Sequence, residues 1–153
     1  MGRPSPRKEN VMDLVEKLDA IEDIKNLKAR YFRFMDLKMW DEWAMVFAEN
    51  CTLSYFDKTH HSRAEIVETV SNNMRQGVTV HHGHTPEITV TSPDEASGVW
   101  AMADYNEFQA GPMGAGASRG YGHYYETYVR HPRDGWQIAS VRLDYIRVDH
   151  AER

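Results

Sequence analysis

The first third of the chain repeats apolar residues at intervals of three and four, the period of an amphipathic helix. From Val11 onward, one helix is predicted. One face of it carries the apolar residues Leu14, Leu18, Ile21, Ile24, Leu27, Tyr31 and Phe34. A second, short helix is predicted next, with its inward-facing residues being Trp40, Trp43, Val46 and Phe47. The chain therefore begins with helical structure.

A third helix and an intervening strand follow. Cys51 to Phe56 is predicted to form a strand, and the sequence SRAE that starts at Ser62 fits a capping box. In such a box the Ser62 hydroxyl and the Glu65 carboxylate satisfy open backbone N–H groups reciprocally. The third helix is accordingly predicted to run from about Arg63 to Met74.

After Gly77 the apolar period changes to two, which is typical of strands. We predict four strands, near 79–91, 96–109, 121–130 and 135–149. Turns are predicted at Pro93-Asp94 and at Arg133-Asp134-Gly135. The glycine-rich stretch 111–122 has no helix after it, so we interpret it as a mobile loop over a pocket mouth and not as a dinucleotide loop.

Helices followed by antiparallel strands indicate the α+β class. We predict a cone-shaped α+β barrel, with about three N-terminal helices packed on a curved antiparallel sheet. Such a cone is open at one end, and it encloses a pocket between the concave sheet face and the first helix.

Composition excludes several classes of protein. The 153 residues fit one domain, placed at 11–150 after a flexible tail at 1–10. A net charge of −5 without a basic stripe argues against nucleic acid and anionic membranes as partners. No membrane span or signal peptide is evident, and the single Cys51 forms no intrachain disulfide, so we expect a cytoplasmic protein.

Two polar residues near the end of the first helix are candidates for the pocket wall. Asp36 has apolar neighbours, which shift the pKa of a carboxyl group. The alternative for Asp36 is an ordinary helix-end aspartate. Tyr31 lies five residues earlier, and its alternative is a core aromatic residue with a satisfied hydroxyl.

Asp104 is a third candidate, because alternation puts it on an apolar face. That face of its strand carries Gly98, Trp100, Met102, Asp104, Asn106 and Phe108. A carboxylate there is costly unless it is paired or lines a wet cavity. We expect Trp100, Met102 and Phe108 to suit a flat apolar substrate. The alternative is an inverted strand phase, with Asp104 facing outward.

The segment HHGH, which follows Val80, holds three of the eight histidines. On a strand, alternation puts His82 and His84 on the side of Val80 and puts His81 on the other, so this pattern favours His82 and His84 as inward. With Glu87 they form an H-x-H-x-x-E set resembling that of cupins. No further ligand has metal-site spacing, and a helical first third does not suit a jelly roll, so no metal is predicted.

Several sequence blocks resemble the SnoaL-like domains of the nuclear transport factor two superfamily, which also holds scytalone dehydratase and ketosteroid isomerase. These blocks are IEDIKNLKARYFR at 21–33 with Asp36 and KMWDE after it, HxGHTPEIT at 81–89, and ASGxW at 96–100 followed by Asp104. Within the superfamily, the blocks most resemble the bacterial bile acid 7α-dehydratases. The resemblance covers about residues 20–149, and it implies a homo-oligomer, a dimer or a trimer.

Carried over position by position, the resemblance implies five site residues, Tyr31, Asp36, Tyr55, His81 and Asp104. It thereby favours His81 over the two histidines that alternation favours. The stretch 111–122 and the strand after it match poorly. The chemistry can therefore be shared while the substrate differs.

The resemblance implies a dehydratase that eliminates water from a steroid-like or polycyclic hydroxy-carbonyl substrate without a cofactor. His81 would be the general base, Asp36 would orient its imidazole, and Tyr31 and Tyr55 would donate hydrogen bonds to an enolate or to the departing hydroxyl. Asp104 would hold a tyrosine or bind the leaving hydroxyl. Two alternatives stay open: a double-bond isomerase with Asp36 as the proton shuttle, and a non-catalytic small-molecule binding module.

Overall fold

The computed structural model describes residues 12–108 and 115–151, so the predicted tail at 1–10 lies outside the described residues. The described helices are α1 (Leu14–Asp36), α2 (Trp40–Ala44) and α3 (Arg63–Met74). The described strands are β1 (Phe47–Tyr55), β2 (Lys58–His60), β3 (Val78–Ser92), β4 (Glu95–Phe108), β5 (Gly116–His131) and β6 (Gly135–Ala151). The predicted α+β class is confirmed, whereas the domain bounds 11–150 stay a prediction.

Side-chain caps fix where the two longer helices begin. The Asp13 carboxylate accepts a hydrogen bond from the Glu16 N–H, and the Glu16 carboxylate accepts one from the Asp13 N–H, which completes a capping box for α1. The Ser62 hydroxyl accepts from the Glu65 N–H at 3.2 Å, as predicted for α3. The reciprocal half of that prediction is wrong, because the Glu65 carboxylate accepts from the His61 N–H instead.

The buried face of α1 lies nearer its carboxyl end than the apolar pattern predicts. Its buried hydrophobic residues are Ala20, Ile24, Leu27, Tyr31 and Met35. Leu14 and Leu18 remain 71% and 54% exposed. The carboxyl half of α1 therefore packs on the sheet and positions the polar residues at the end of the helix.

The sheet has the strand order β2-β1-β6-β5-β4-β3. Its neighbouring strands pair antiparallel except β1 and β6, which pair in parallel, so the curved sheet is predominantly antiparallel, as predicted. The described edges β2 and β3 do not pair with each other, so the curved sheet is not closed into a barrel. From Gly116 the predicted glycine-rich loop is strand, and its residues 111–114 lie outside the described residues.

The sheet and α1 enclose the core. On β4 the face predicted to be apolar is indeed the buried one, with Trp100, Met102, Asp104 and Asn106 at 7% exposure or less. None of the described helices combines the length and apolarity that crossing a membrane requires. The inward face of β4 thus carries two polar side chains toward the space beneath α1.

Candidate functional site

The concave face of the sheet, α1 and α3 enclose a cavity of about 150 Å³. Four of the five predicted site residues line it, namely Tyr31, Tyr55, His81 and Asp104. Phe108, predicted to contact a substrate, also lines it. Much of the remaining wall is apolar and includes Met35, Leu53, Val70, Leu143 and Val148. The cavity therefore suits an apolar ligand with a few polar groups.

Asp36, the fifth predicted residue, is not among the residues that line the cavity, but it contacts His81, which does line it. It is the last residue of α1, and His81 lies on β3. The Asp36 carboxylate accepts a hydrogen bond from His81 Nδ1 at 2.7 Å and another from the His81 main-chain N–H at 2.9 Å. Since a carboxylate accepts, Nδ1 carries the proton in the neutral tautomer, in which Nε2 has a lone pair. Nε2 bonds to no described residue, so His81 can act as a base in the cavity it lines.

Two further side chains hold the Asp36 carboxylate. The Thr79 hydroxyl donates to it at 3.0 Å, and the Lys38 ammonium donates to Thr79 Oγ1 at 2.6 Å. Partial burial lowers the pKa of Lys38, and the nearby charge of Asp36 opposes this shift. The hydrogen bonds therefore run from Lys38 through Thr79 and Asp36 to the imidazole of His81.

Asp104 lies beside His81 on the neighbouring strand and accepts a hydrogen bond from a tyrosine. The two residues are direct partners in the register of β3 and β4. The Tyr145 hydroxyl donates to the Asp104 carboxylate at 2.7 Å, and burial, with the charge of Asp104, raises the pKa of Tyr145. Gly120 leaves room for this pair, because a Cβ there would come within 2.6 Å of Asp104 and 2.4 Å of the Tyr145 ring. Of the two roles open to Asp104, the observed contact is that with a tyrosine.

Tyr31 and Tyr55 contact the cavity from different elements. Tyr31, on α1, is 3% exposed, and its ring lies edge-on to those of Phe47 and Tyr124. The Tyr55 hydroxyl, on β1, lies 3.4 Å from His60 Nε2. Burial raises the pKa of both tyrosines, and the charge of a nearby glutamate adds to the effect at Tyr31. Both phenols are therefore protonated at neutral pH and are able to donate hydrogen bonds.

Comparison with known proteins identifies the family. Residues 16–142 match the SnoaL-like domain family. The chain belongs to this family. Its fold is also that of a nuclear transport factor 2-like superfamily protein from Salmonella enterica, with a TM-score of 0.71, 13% identity and coverage of 84% of this chain and 92% of that one. The predicted nuclear transport factor two-like fold is confirmed.

Three proteins similar to this SnoaL-like domain have names that refer to chemical reactions. "Probable cyclase FGR4" of Gibberella zeae is 26% identical over 84% of this chain and 92% of its own length. A scytalone dehydratase-like protein from Novosphingobium aromaticivorans has a TM-score of 0.75 at 20% identity, covering 89% and 90% of the two chains. The hexachlorocyclohexane dehydrochlorinase LinA-type3 from Novosphingobium barchaimii has a TM-score of 0.76 at 12% identity, covering 90% and 94%.

The SnoaL-like domain also holds a buried ion pair that the sequence reasoning missed. The Lys28 ammonium lies 2.5 Å from the Glu126 carboxylate, and both side chains are fully buried. The same ammonium lies over the rings of Tyr31 and Tyr124, at 4.0 and 3.7 Å from their centroids. Burial lowers the pKa of Lys28, and Glu126 opposes the shift. Lys28 follows Ile24 by four residues, so its place on the buried stripe of α1 is the signal that could have revealed it.

The Glu126 carboxylate extends this pair into a network of hydrogen bonds. It accepts from the Tyr128 hydroxyl at 2.6 Å, which in turn accepts from the Trp100 indole at 2.8 Å. Trp100 and Met102 are buried and are not among the residues that line the cavity, so their contact with substrate stays a prediction. The Phe32 ring packs near Trp100 beside Gly83.

The structure also reverses the histidine prediction based on alternation. His82 and His84 are exposed, as is Val80 at 40%, whereas His81 is 8% exposed. The start of β3 is an edge strand whose valines face outward, so apolar character does not mark its inner side. Glu87 is exposed as well, and within 12–108 and 115–151 no group of three His, Cys, Asp or Glu residues is arranged to hold a metal.

Proposed function

We propose that this protein is a lyase that eliminates water from an apolar, ring-containing hydroxy-carbonyl compound by general acid–base catalysis. The observation that carries the proposal is the Asp36–His81 pair, which leaves Nε2 of a buried imidazole unbonded at an apolar cavity. Two similar proteins support elimination chemistry, since their names denote a dehydratase and a dehydrochlorinase. The proposal needs no metal or redox cofactor, because side chains carry every proton.

The proposed reaction begins with proton abstraction. His81 Nε2 takes a proton from a carbon next to a carbonyl, and the electron pair of that C–H bond becomes an enolate. Asp36 stabilises the imidazolium that forms, through its hydrogen bond to Nδ1. Tyr31 and Tyr55, whose raised pKa values keep them protonated, donate hydrogen bonds to the developing oxyanion.

Departure of the hydroxyl completes the elimination. The enolate electrons form the new C=C bond as the C–O bond breaks, and the leaving hydroxide takes the proton now held by His81 to become water. The proton therefore moves from carbon to the leaving group through His81, and the enzyme returns to its initial state. Asp104, paired with Tyr145 opposite His81, keeps the polar wall of the site in place.

The size of the cavity limits which part of a substrate is enclosed. A cavity of about 150 Å³ matches one known to hold a benzene molecule. A steroid-like or polycyclic substrate would therefore insert its reacting ring, while its other rings lie toward Phe56 and Phe108. Phe56 lines the same cavity and is 71% exposed. This arrangement favours substrates whose hydroxyl and carbonyl occupy one ring or two adjacent rings.

A mass-spectrometric screen tests the proposal. Purified protein is incubated with bicyclic hydroxy-ketones and with hydroxylated 3-oxo-Δ4 steroids, and each mixture is analysed for loss of one water. We expect loss of water from at least one compound with the wild type and none above background with His81→Ala. A product of unchanged mass would instead indicate a double-bond isomerase. Binding without any product would indicate a non-catalytic binding module, and either result would refute the dehydratase.

A further inference from the structure

The cavity wall contains a buried polar atom that no described residue satisfies. Asn106 is 6% exposed and lines the cavity, and its Oδ1 is closed to solvent without a hydrogen-bond partner. Buried side-chain carbonyl groups are nearly always hydrogen-bonded, because leaving one unpaired is costly. Two other described atoms share this condition, the indole nitrogens of Trp43 and Trp136, and neither of these residues lines the cavity. Among the described residues, Asn106 is therefore the unsatisfied group that belongs to the cavity wall.

The neighbours of Asn106 do not supply the missing partner. Asp104, two residues earlier on the same face of β4, is bonded to Tyr145. Thr79, opposite Asn106 on β3, donates its hydroxyl proton to Asp36. Ser118, opposite it on β5, also lines the cavity and is not bonded to Asn106. These groups around Asn106 are thus bonded to other residues or not bonded to it, and Oδ1 is left without a partner.

The chemistry of this atom defines what it binds. A side-chain carbonyl accepts hydrogen bonds and does not donate them, so its partner must be a donor. The rest of the wall is largely apolar, so the donor must be carried by a ligand that is itself mostly apolar. A hydroxyl group on an apolar ring meets both conditions.

We propose that Asn106 is a substrate-binding residue whose side-chain carbonyl accepts a hydrogen bond from a hydroxyl group on an apolar ring compound. The inference rests on the proposed function, because it takes this cavity as the substrate site. It adds which residue on β4 recognises the hydroxyl group. It also predicts a trade-off between stability and binding. The unpaired acceptor lowers the stability of the free protein, and the same acceptor binds the hydroxyl of the ligand.

A pair of isosteric probes tests the proposal without turnover. 2-Naphthol and 2-methylnaphthalene have nearly the same shape, and only 2-naphthol donates a hydrogen bond. Dissociation constants for both are measured by fluorescence titration with the wild type and with Asn106→Leu. Comparing the two ratios isolates the contact between the hydroxyl and Asn106, as in a double-mutant cycle. We expect Asn106→Leu to reduce the relative affinity for 2-naphthol by about threefold to tenfold.

Thermal unfolding of the free variants supplies the second measurement. Since Leu has a similar volume and no unpaired oxygen, Asn106→Leu is expected to raise the melting temperature by about 2–6 °C. Asn72→Leu is the matched control, because Asn72 is exposed on α3 and does not line the cavity. It should leave the affinity ratio unchanged. Asn106→Ala, which also removes the acceptor, replaces the Leu variant if that one fails to fold.

Two results would overturn the proposal. These are an unchanged affinity ratio in Asn106→Leu, and no binding of 2-naphthol to the wild type at millimolar concentration. An unchanged ratio together with a lower melting temperature would identify Asn106 as a purely structural residue. Since the titration involves no reaction, a failed search for dehydration leaves its outcome intact, and the two proposals fail separately.

Discussion

The Asp36 carboxylate bonds His81 at two points, accepting from the ring Nδ1 at 2.7 Å and from the main-chain N–H of the same residue at 2.9 Å. The first contact fixes the tautomer and the plane of the ring. The second fixes the backbone of β3 against the end of α1. A single carboxylate therefore determines both where the imidazole lies and which of its nitrogens is left without a partner among the described residues.

Asp36→Asn is predicted to disable the proposed chemistry, because an amide cannot accept both of these hydrogen bonds and stabilises an imidazolium poorly. With a substrate from the mass screen, kcat/KM should fall by about 10²–10⁴-fold, the usual range for loss of acid–base catalysis. The decrease in kcat/KM for His81→Ala should lie in the same range. The double variant should be no slower than the worse single variant, because the two residues act as one unit.

His82→Ala is the control for this series. His82 is the next residue on β3, and it is exposed on the opposite face of the sheet. Its kcat/KM should stay within about twofold of the wild type, since substitution of an exposed side chain usually has a small effect. Wild-type activity in Asp36→Asn would refute the assigned role of the carboxylate.

Gly120→Ala is predicted to displace the Asp104–Tyr145 pair. The added Cβ would lie 2.4 Å from the Tyr145 ring and 2.6 Å from the Asp104 carboxylate, and real Cβ atoms do not approach this closely. Overpacking of this kind destabilises by about 1–3 kcal/mol. Chemical denaturation should show this loss of stability, and activity should fall as well, because Asp104 lies opposite His81.

Gly116→Ala is the matched control on the same strand. Of the residues that the structure describes, a Cβ at that position meets only the Ala151 carbonyl oxygen, at an ordinary 3.4 Å. Its free energy of unfolding should change by less than about 0.5 kcal/mol. Equal stabilities of the two glycine variants would mean that the Asp104–Tyr145 pair moves aside without penalty.

Local patterns predicted the elements well, and they were least reliable for the orientation of an edge strand. The helix predicted from about Arg63 to Met74 is observed over Arg63–Met74, and Ser62 marks its start. The buried face of β4 was also predicted correctly, since a central strand turns its apolar residues to the core. β3 is an edge strand with exposed valines, so alternation selected the wrong histidines. The resemblance to a family favoured His81, the histidine that the structure places inward.

Long-range polar pairs were beyond prediction from the sequence. Lys28 and Glu126 are 98 positions apart, and Asp104 and Tyr145 are 41 apart. Nothing local links such residues, because their contact depends on how α1 and three strands meet in the fold. Periodicity shows that a charged residue lies on a buried face, but not which partner neutralises it.

Lys28→Met is predicted to be strongly destabilising, because it leaves the Glu126 carboxylate buried without its cation. Breaking a buried pair by removing one partner costs about 3–5 kcal/mol. The double variant Lys28→Met/Glu126→Leu should recover most of that loss, since apolar replacement of both partners is often neutral. Urea denaturation of the single and double variants measures both effects.

Lys25→Met provides the comparison on the same helix. Lys25 pairs with Glu22 on the surface, where both side chains are more than 40% exposed. Loss of an exposed pair changes stability by less than about 1 kcal/mol. If the Lys28 and Lys25 variants were equally stable, the buried pair would contribute no more than a surface pair.

Stability is predicted to fall steeply in alkaline solution. Burial raises the pKa of Tyr31, Tyr124, Tyr128 and Tyr145 and raises that of Cys51 to about 12. Unfolded tyrosines release their protons near pH 10, while these folded ones retain them. The unfolded state then binds fewer protons than the native state, so the free energy of unfolding decreases as pH rises, by about 1.4 kcal/mol per pH unit for each such group.

Lys28 and Lys38 act in the opposite direction, because their lowered pKa values mean that the unfolded state binds the extra protons. These two lysines are outweighed by the five groups with raised pKa values named above, so the stabilising contribution present below pH 9 is lost above pH 10. Tyrosinate absorbance from the four buried residues should appear together with the loss of the circular dichroism signal. Tyr128→Phe removes one of these groups, so the free energy of unfolding should decrease less steeply with pH, by about 1.4 kcal/mol per pH unit. Gradual ionisation of these tyrosines in the folded protein would contradict the prediction, since it would require phenols that water reaches without unfolding.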